Sequence, residues 1–218
     1  MKNSILNKPF PYTFSSVTFY LIGINIIFYM IGYIYPRSVL YTAMIPGLVI
    51  QKFYIWQFIT YMFTHGGFSH ILFNMLGLFF FGMQVERRIG SYEFLLFYLL
   101  TGVLAGILSF VIYYLTGSYN VILLGASGSI FAVLFAFAVY FPNAQIYIMG
   151  IFPVKAPMLV IGYTVLELFS QVTSARTGVA HLTHLAGFGF AYLYFIIRLG
   201  INPIDSFKHR GPGGVWRN

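Results

Sequence analysis

Six runs of apolar residues, each bounded by charged or turn-forming residues, dominate the pattern along this chain. A helix needs about 20 apolar residues to cross the hydrocarbon core of a bilayer, which is about 30 Å thick. The runs therefore predict six transmembrane helices in an all-α, polytopic membrane protein, with residues 1–218 forming a single domain. The predicted spans are 15–35, 69–85, 92–115, 127–141, 156–172 and 179–197.

Two further segments follow a different pattern. Residues 37–68 are too polar and too often interrupted by proline and glycine to cross a bilayer, and their aromatic stretch 53–59 is typical of the membrane interface. We predict a structured interfacial loop there, and a disordered tail over 205–218, which contains Gly-Pro-Gly-Gly. The first apolar run lacks a small-residue cleavage site, so it is expected to be a retained anchor and not a signal peptide.

The composition excludes a soluble protein. Hydrophobic residues make up 59% of the chain and charged residues only 7%, against about 25% charged residues in soluble domains. Six spans would place nine Lys and Arg residues on one side and three on the other, which predicts that both termini are cytoplasmic. The net charge of +8 then reflects topology and contact with anionic lipid, and no nucleic-acid partner is expected. The nine are Lys2, Lys8, Arg87, Arg88, Lys155, Arg198, Lys208, Arg210 and Arg217, and the three are Arg37, Lys52 and Arg176.

Polar residues inside apolar runs are costly to keep there, and three of them are predicted to lie at one depth. Ser127 stands in a Gly-Ala-Ser-Gly sequence at the head of the fourth span, and His184 lies inside the sixth. At 1.5 Å per residue, Ser127, His184 and Asn74 each fall about 8–9 Å below the outer surface. Three different helices would therefore bring a serine, a histidine and an asparagine into the same layer.

The faces of two spans predict that Ser127 and His184 are in contact. Small residues at helical spacing let two backbones approach closely, which brings a nucleophile within hydrogen-bond reach of its base. A helix that begins at Ser127 also offers free N–H groups to an oxyanion, and His70 and Asn74 share one face of the second span. The small residues are Gly128, Ala132 and Ala136 in the fourth span, and Gly187 and Ala191 in the sixth.

Each candidate has a rival or a simpler role. Ser127 has the sequence context of a helix N-cap, and Ser129 is a second possible nucleophile, although two positions turn a helix by about 200°. His181 is the rival base, but it lies one turn nearer the surface than His184. Glu167 is either a third catalytic member or an interior acid. Glu93 and the basic tail are expected to be solvated at the interface.

A metal site is not expected. Four histidines lie in or beside the predicted spans, but the chain has no cysteine and no His-Glu-x-x-His sequence, and no carboxylate is expected beside the histidines. The prediction is therefore a chain without a metal or another cofactor. The four histidines are His65, His70, His181 and His184.

Four short motifs, taken together, resemble the rhomboid intramembrane serine proteases. They are Gly-Ala-Ser-Gly at the head of the fourth span, His-Leu-Ala-Gly in the sixth, His70-Ile-Leu-Phe-Asn74 in the second, and Glu86-Arg87-Arg88 directly after it. The motifs occur in the order and in the helices of that family, and the resemblance covers residues 54–192. Gly-x-Ser-Gly alone is a weak signal, but the conjunction of the four is highly specific.

The resemblance implies a role for each motif residue. It implies a Ser127/His184 dyad without an acid, so that Glu167 is expected to be structural. It also implies an oxyanion site made of His70, Asn74 and the Ser127 N–H, and structural roles for Glu86 and Arg88. The chain departs from the family at Trp56-Gln57, where Trp-Arg is usual, and at Phe131, where a tyrosine is frequent; aromatic packing beneath the histidine is still expected.

The predicted function is that of a serine endopeptidase that cleaves peptide bonds in or next to the transmembrane segments of other membrane proteins. Resemblance to the family suggests single-span substrates that enter sideways between the second and fifth spans. A multi-pass protein of a bacterial inner membrane is expected. The alternative is a non-catalytic, rhomboid-like protein that binds or escorts membrane clients, and a small transporter is a third class, for which polar residues should occur at several depths.

Overall fold

Helices account for most of the structure, a computed structural model that describes residues 8–148, 150–173 and 178–208. Two π-helical turns, Leu78–Gly82 and Phe195–Leu199, continue the α-helices that precede them. The helices are α1 (Val17–Ile34), α2 (Val39–Thr42), α3 (Pro46–Lys52), α4 (Gln57–Thr60), α5 (Phe68–Gly77), α6 (Met83–Ile89), α7 (Ser91–Leu115), α8 (Ser127–Tyr140), α9 (Ala156–Thr173), α10 (Gly178–Tyr194) and α11 (Pro203–Lys208).

The long helices coincide with the predicted spans. Within the described ranges, four helices are long and apolar enough to cross a membrane, and two more are apolar but shorter. The four are Val17–Ile34, Phe68–Ile89, Ser91–Leu115 and His181–Leu199, and the two are Ser127–Tyr140 and Ala156–Phe169. These bounds lie within a few residues of the predicted spans, except at the end of the second.

The second of these helices continues to Ile89, past Val85, where the predicted span ends. Charged residues were expected to stop it, but Glu86 is fully buried. Its carboxylate accepts hydrogen bonds from the N–H groups of Val17 and Thr18 at 2.6 and 2.9 Å, and from the hydroxyls of Thr18 and Ser91 at 2.6 and 2.5 Å. Glu86 therefore satisfies the free donors at the start of α1 and ties that helix to α6 and α7.

Replacing Glu86 with glutamine is expected to lower the stability of the fold. The new amide group would point an N–H group at N–H and O–H donors, and a hydrogen bond to a charged group contributes roughly 1.5–3 kcal/mol. We expect a loss of about 3 kcal/mol in the free energy of unfolding, measured by thermal or denaturant unfolding in detergent. Asp205→Asn changes an exposed acid and is the control; equal stability of the two variants would contradict the role given to Glu86.

The sequence led us to expect Glu93 to be solvated at the interface, and this expectation is wrong. Its side chain is only 1% exposed. Arg198 donates from Nε to Glu93 Oε1 at 2.9 Å and from a terminal nitrogen to Oε2 at 3.0 Å. The Tyr194 hydroxyl donates to the same carboxylate, as does the N–H of Phe10 at 2.9 Å. This partly buried ion pair fastens the π-helical turn after α10 to the start of α7.

The short helix α8 lies at the centre of the bundle. Its 14 residues reach about 21 Å, less than the hydrocarbon thickness, and nearly all are buried. Its closest neighbour is α10: a Cβ built on Gly187 would lie 2.1 Å from the carbonyl oxygen of Gly128 and 3.4 Å from the nitrogen of Ala132. The predicted close approach of two small-residue faces is therefore confirmed.

Two connecting segments and the C-terminal end complete the fold. Residues 37–68 form the short helices α2 to α4 and a 3₁₀ turn, Tyr61–Phe63, so the prediction of a structured loop is confirmed. Between α8 and α9, the antiparallel strands β1 (Gln145–Ile148) and β2 (Phe152–Lys155) make a hairpin, which corrects the all-α prediction. The predicted disorder of 205–218 is wrong for 205–208, because α11 packs there against α8 through Phe207 and Phe135; the remainder lies outside the described residues.

Candidate active site

Ser127 is the first residue of α8, and its hydroxyl faces α10. Its Oγ lies 2.7 Å from Nε2 of His184, a normal hydrogen-bond distance between a hydroxyl and an imidazole. The N–H groups in the first turn of a helix have no partner within the helix, so they are available to a negatively charged oxygen beside Ser127. The predicted juxtaposition of serine and histidine is present in the fold.

The ring of His184 is held by an aromatic stack. It lies nearly parallel to the ring of Phe131, with centroids 4.3 Å apart and an angle of 15° between the planes. Phe131 in turn packs edge-to-face on Tyr163 and against Phe188. Aromatic packing beneath the histidine was expected from the sequence, and it is confirmed with phenylalanine in place of the frequent tyrosine.

His70 and Asn74 lie on α5 and face the same space as Ser127. A Cβ built on Gly125 would lie 2.7 Å from His70 Nε2 and 3.7 Å from Ser127 Oγ, so the imidazole and the hydroxyl flank this glycine closely. Gly125 also has a φ of +117°, which favours glycine. Asn74 is buried and donates one amide hydrogen to the carbonyl of His70 at 2.7 Å, which leaves a second amide hydrogen for another acceptor.

A second histidine packs against His70 from the loop before α5. The rings of His65 and His70 meet edge-to-face, with centroids 5.0 Å apart. Burial, and to a lesser extent the neighbouring His70, lower the pKa of His65 to about 4, and together they outweigh the hydrogen bond from its Nδ1 to the Phe63 carbonyl. His65 is therefore neutral at pH 7 and contributes packing, but no positive charge, to this side of the site.

A cavity of about 640 Å³ opens onto Ser127. It lies between the helix α5, the central helix α8, the hairpin strand β1 and the helix α9. Its walls are mainly apolar, and its polar lining includes three of the side chains proposed from the sequence, Ser127, His70 and Asn74. The lining residues are Ser69, His70, Phe73, Asn74, Gly77, Phe81, Ser127, Ile130, Phe131, Leu134, Ile146, Ile148, Leu159 and Tyr163.

The interfacial loop holds the segment that leads to Ser127. Gln57 is fully buried; its Oε1 accepts from the N–H of Ile45 at 3.0 Å, and its Nε2 donates to the Leu40 carbonyl at 2.9 Å. Met44, which precedes Ile45, exchanges two backbone hydrogen bonds of 2.9 Å with Leu123, four residues before the serine. Gln57 thus anchors the loop at the position where the family usually has arginine.

The two rivals of the proposed pair lie elsewhere. Ser129 is fully buried on the opposite side of α8, where its hydroxyl donates to the Tyr98 carbonyl of α7 at 2.9 Å. The expectation that it faces away from the sixth span is confirmed. His181 lies one turn before His184 and contacts Glu167, with a distance of 2.5 Å between its Nδ1 and Oε2. Its ring centroid is 6.5 Å from that of His184.

The sequence left Glu167 as either a third catalytic member or an interior acid, and the structure places it beside His181 and His184. The expectation that no carboxylate lies beside the histidines is therefore wrong. The side chain of Glu167 extends from α9 between His181 and His184, and its Oε1 lies 3.0 Å from His184 Nδ1. The signal was present in the spacing: His181 and His184 are three residues apart on one helix face, and Glu167 is the acidic residue of the neighbouring span. A single sequence does not reveal which face of α9 meets α10.

Among the described residues, Glu167, His181 and His184 form a group of side chains that could bind a metal ion. Their ligand atoms all lie within 4.8 Å of one another. However, zinc bonds of about 2.0–2.1 Å in a tetrahedral site keep ligand atoms roughly 3.3 Å apart, whereas His181 Nδ1 and Glu167 Oε2 are 2.5 Å apart. The spacing favours hydrogen bonds, and the absence of a metal stays a prediction.

Comparison with known proteins identifies the family of this chain. Residues 52–201 match the family model described as Rhomboid domain. The chain is 32% identical over 145 residues to the putative rhomboid protease YdcA of Bacillus subtilis, an alignment that covers 66% of this chain and 68% of that protein. The chain belongs to the rhomboid family. With its long apolar helices, this rhomboid is an integral membrane protein.

Two further rhomboid relatives are matched over smaller shares of their own length. RHOMBOID-like protein 4 of Arabidopsis thaliana is 29% identical over 161 residues, which are 72% of this chain but only 38% of that protein. The rhomboid protease GlpG of Haemophilus influenzae is 28% identical over 119 residues, 54% of this chain and 59% of that protein. The chain thus spans less than two thirds of these two rhomboids, although it spans slightly more of YdcA.

Proposed function

We propose that this rhomboid is an intramembrane serine endopeptidase with Ser127 as nucleophile and His184 as general base and acid. The observation that carries the proposal is the 2.7 Å contact of Ser127 Oγ with His184 Nε2, at the head of a helix and beside a cavity. A serine is a weak nucleophile unless an adjacent base takes its proton. The names of YdcA and GlpG as rhomboid proteases support the same activity.

The proposed reaction follows the order of acyl transfer. Ser127 Oγ attacks the scissile carbonyl while His184 Nε2 takes the hydroxyl proton, and His184 then gives this proton to the leaving nitrogen. The carbonyl oxygen becomes an oxyanion, which the side chains of His70 and Asn74 and the Ser127 N–H stabilise. Water then releases the acyl group by the reverse proton transfers. No metal or other cofactor takes part.

The substrates of this proposal are single-span membrane proteins. A helix hides its carbonyls in its own hydrogen bonds, so a substrate must unwind locally before a bond can be cut. The cavity between α5 and α9 supports entry from that side, between the second and fifth spans, as proposed from the sequence. We further propose that all six apolar helices cross the bilayer, that both termini are cytoplasmic, and that the host membrane is a bacterial inner membrane.

Incubation with a model single-span substrate tests the function. Purified wild-type protein in liposomes is expected to cut the substrate in or next to its transmembrane segment, with the cleavage site read by mass spectrometry of both fragments. Stable co-purification of an uncut substrate, in conditions where other rhomboids cleave it, would instead favour the non-catalytic binding protein. The contact of Ser127 with His184 favours the enzyme, because a binding protein has no need of it.

Asn74→Ala tests the oxyanion site. The loss of one oxyanion donor typically lowers kcat by about 10²–10³, or roughly 2.7–4 kcal/mol of transition-state stabilisation. We expect kcat to fall by this amount, with KM nearly unchanged because the donor acts in the transition state. The measurement is the rate of cleavage as a function of substrate density in liposomes.

Asn25→Ala is the matched control for this prediction. Asn25 is also buried, and it donates to the carbonyl four residues earlier, Leu21, at the same 2.7 Å as Asn74 does to His70. It lies on α1, away from the cavity. Equal kcat values for the two variants would show that the asparagine at position 74 supports the helix and not the oxyanion.

A further inference from the structure

A carboxylate lies on the side of the His184 ring that faces away from Ser127. Oε1 of Glu167 is 3.0 Å from His184 Nδ1, while Ser127 Oγ is 2.7 Å from His184 Nε2. We propose that Glu167 is a positioning residue for proteolysis, which holds His184 in the one tautomer that can accept the serine proton. This inference rests on the proposed function, but it adds a member that a serine–histidine dyad does not have.

The argument begins with what each group can donate. An ionised carboxylate only accepts hydrogen bonds, so the His184 nitrogen beside Glu167 must carry the hydrogen. In the neutral ring the other nitrogen, Nε2, is then bare and accepts the hydrogen bond of the Ser127 hydroxyl. The opposite tautomer would place an N–H group against Ser127 and leave no base for its proton.

The aromatic stack cannot make this selection. The parallel ring of Phe131 fixes the plane of His184, but a stack of two flat faces is the same for both tautomers and for a ring turned over by 180°. Only a hydrogen-bond partner in the plane of the ring distinguishes Nδ1 from the other ring atoms. Glu167 supplies that partner from α9, so Phe131 and Glu167 have separate tasks.

The same carboxylate acts during the reaction. When the Oγ–C bond forms, the proton of Ser127 moves to His184 Nε2 and the ring becomes an imidazolium with two N–H groups. The Nδ1–H then faces the negative charge of Glu167 in a site of low dielectric, which stabilises the charged ring. As the peptide C–N bond breaks, the Nε2 proton passes to the leaving nitrogen. Glu167 keeps its charge throughout and takes up no proton.

His181 holds the carboxylate from its other side. Its Nδ1 is 2.5 Å from Oε2, so the two oxygens of Glu167 are bound by two histidines of α10. The side chain of Glu167 is only 12% exposed, which limits competition from water. His181 therefore anchors Glu167, and we expect removal of His181 to lower kcat less than removal of the Glu167 carboxylate does.

The single substitution Glu167→Leu, with every other residue unchanged, tests the proposal. Leucine is apolar, so it is suited to a membrane helix, and it offers no acceptor to His184. Loss of the orienting carboxylate in a serine triad costs about 10⁴ in kcat; because the Phe131 stack remains, we expect at least a 100-fold lower kcat with little change in KM. The rate at which a fluorophosphonate labels Ser127 should fall in parallel. Glu167→Gln should recover part of the loss, because its amide oxygen still accepts from Nδ1–H.

Thr164→Leu is the matched control. It places the same leucine on α9 about one turn earlier, where the threonine hydroxyl bonds to the Val160 carbonyl of its own helix at 2.9 Å. We expect its labelling rate to match the wild type. If Glu167→Leu instead lowers thermal stability but labels at the wild-type rate per folded molecule, Glu167 is a structural acid and the proposal is wrong.

A measurement that needs no catalytic turnover tests this proposal independently of the proposed function. Nitrogen-15 NMR of labelled histidine, with the His184 signals assigned by their loss in His184→Ala, reports which ring nitrogen carries hydrogen. The wild type should show His184 protonated at Nδ1, and a hydrogen at Nε2 alone would overturn the proposal. A wild-type protein that neither cleaves nor labels would refute the proposed function, while this spectrum would still decide whether Glu167 fixes the ring.

Discussion

Replacing Ser127 with alanine is expected to abolish both cleavage of a single-span substrate and labelling by a fluorophosphonate. Loss of the nucleophile in a serine protease costs about 10⁶ in kcat, which is below detection in a membrane assay. The fold should be retained, because the Ser127 hydroxyl contacts His184 but is not required for the backbone contact between Gly128 and Gly187. The measurements are fragment formation, labelling of the purified protein and thermal unfolding.

Ser129→Ala is the control for this experiment. Its hydroxyl bonds to the Tyr98 carbonyl of α7, on the far side of α8 from His184. This variant should lose some stability and keep most of its cleavage rate per folded molecule. If Ser129→Ala abolishes labelling and Ser127→Ala keeps it, the nucleophile lies two residues along, and the geometry of α8 has been misread.

The helical part of the fold could be predicted because membranes impose a simple rule. Backbone groups in hydrocarbon must bond within the segment, so a long apolar run has to be helical, and the run Tyr92 to Leu115 does form the helix Ser91–Leu115. The pairing of α8 with α10 could also be predicted, since glycines such as Gly128 and Gly187 at helical spacing leave room for a second backbone. Together these two rules placed Ser127 beside His184.

Interactions between distant polar residues could not be predicted in the same way. Glu86 and Glu93 stand next to the ends of apolar runs, and both are buried by partners far along the chain. The family resemblance implied a structural role for Glu86 but not its partners, and Glu93 was expected to be solvated at the interface. The hairpin of β1 and β2 was missed because the turn residues after Pro142 also suit an ordinary loop. In each case the deciding partner lies on another element, which periodicity does not identify.

The candidate site, like the fold, could be predicted only as far as contacts that do not depend on how another helix is oriented. The serine, the histidine and their common layer followed from depth and from the small helix faces, whereas the orientation of α9, and with it the contact of Glu167 with two histidines, did not. The short helix α11 shows the same limit at a smaller scale, because Phe207 packs on Phe135 of a distant helix. Packing between elements, and not propensity, decides such contacts.

Replacing His184 with alanine is expected to eliminate turnover as completely as the serine variant does. The histidine Nε2 is the acceptor at 2.7 Å from Ser127 Oγ, and in subtilisin the loss of the base costs about as much as the loss of the whole catalytic group. Neither His70, proposed to serve the oxyanion, nor His181, bonded to Glu167, is placed to take the proton. Cleavage and fluorophosphonate labelling of the purified variant are the measurements.

His181→Ala is the informative comparison, because it removes the other histidine of the same helix face. That change leaves the contacts of His184 with Ser127, Phe131 and Glu167 in place and removes only one anchor of the carboxylate. We therefore expect reduced but measurable cleavage, with a smaller loss than in Glu167→Leu. The reverse order, in which His181→Ala is inactive and His184→Ala still cleaves, would transfer the role of base to His181 and would also remove the reason for assigning Glu167 to position His184.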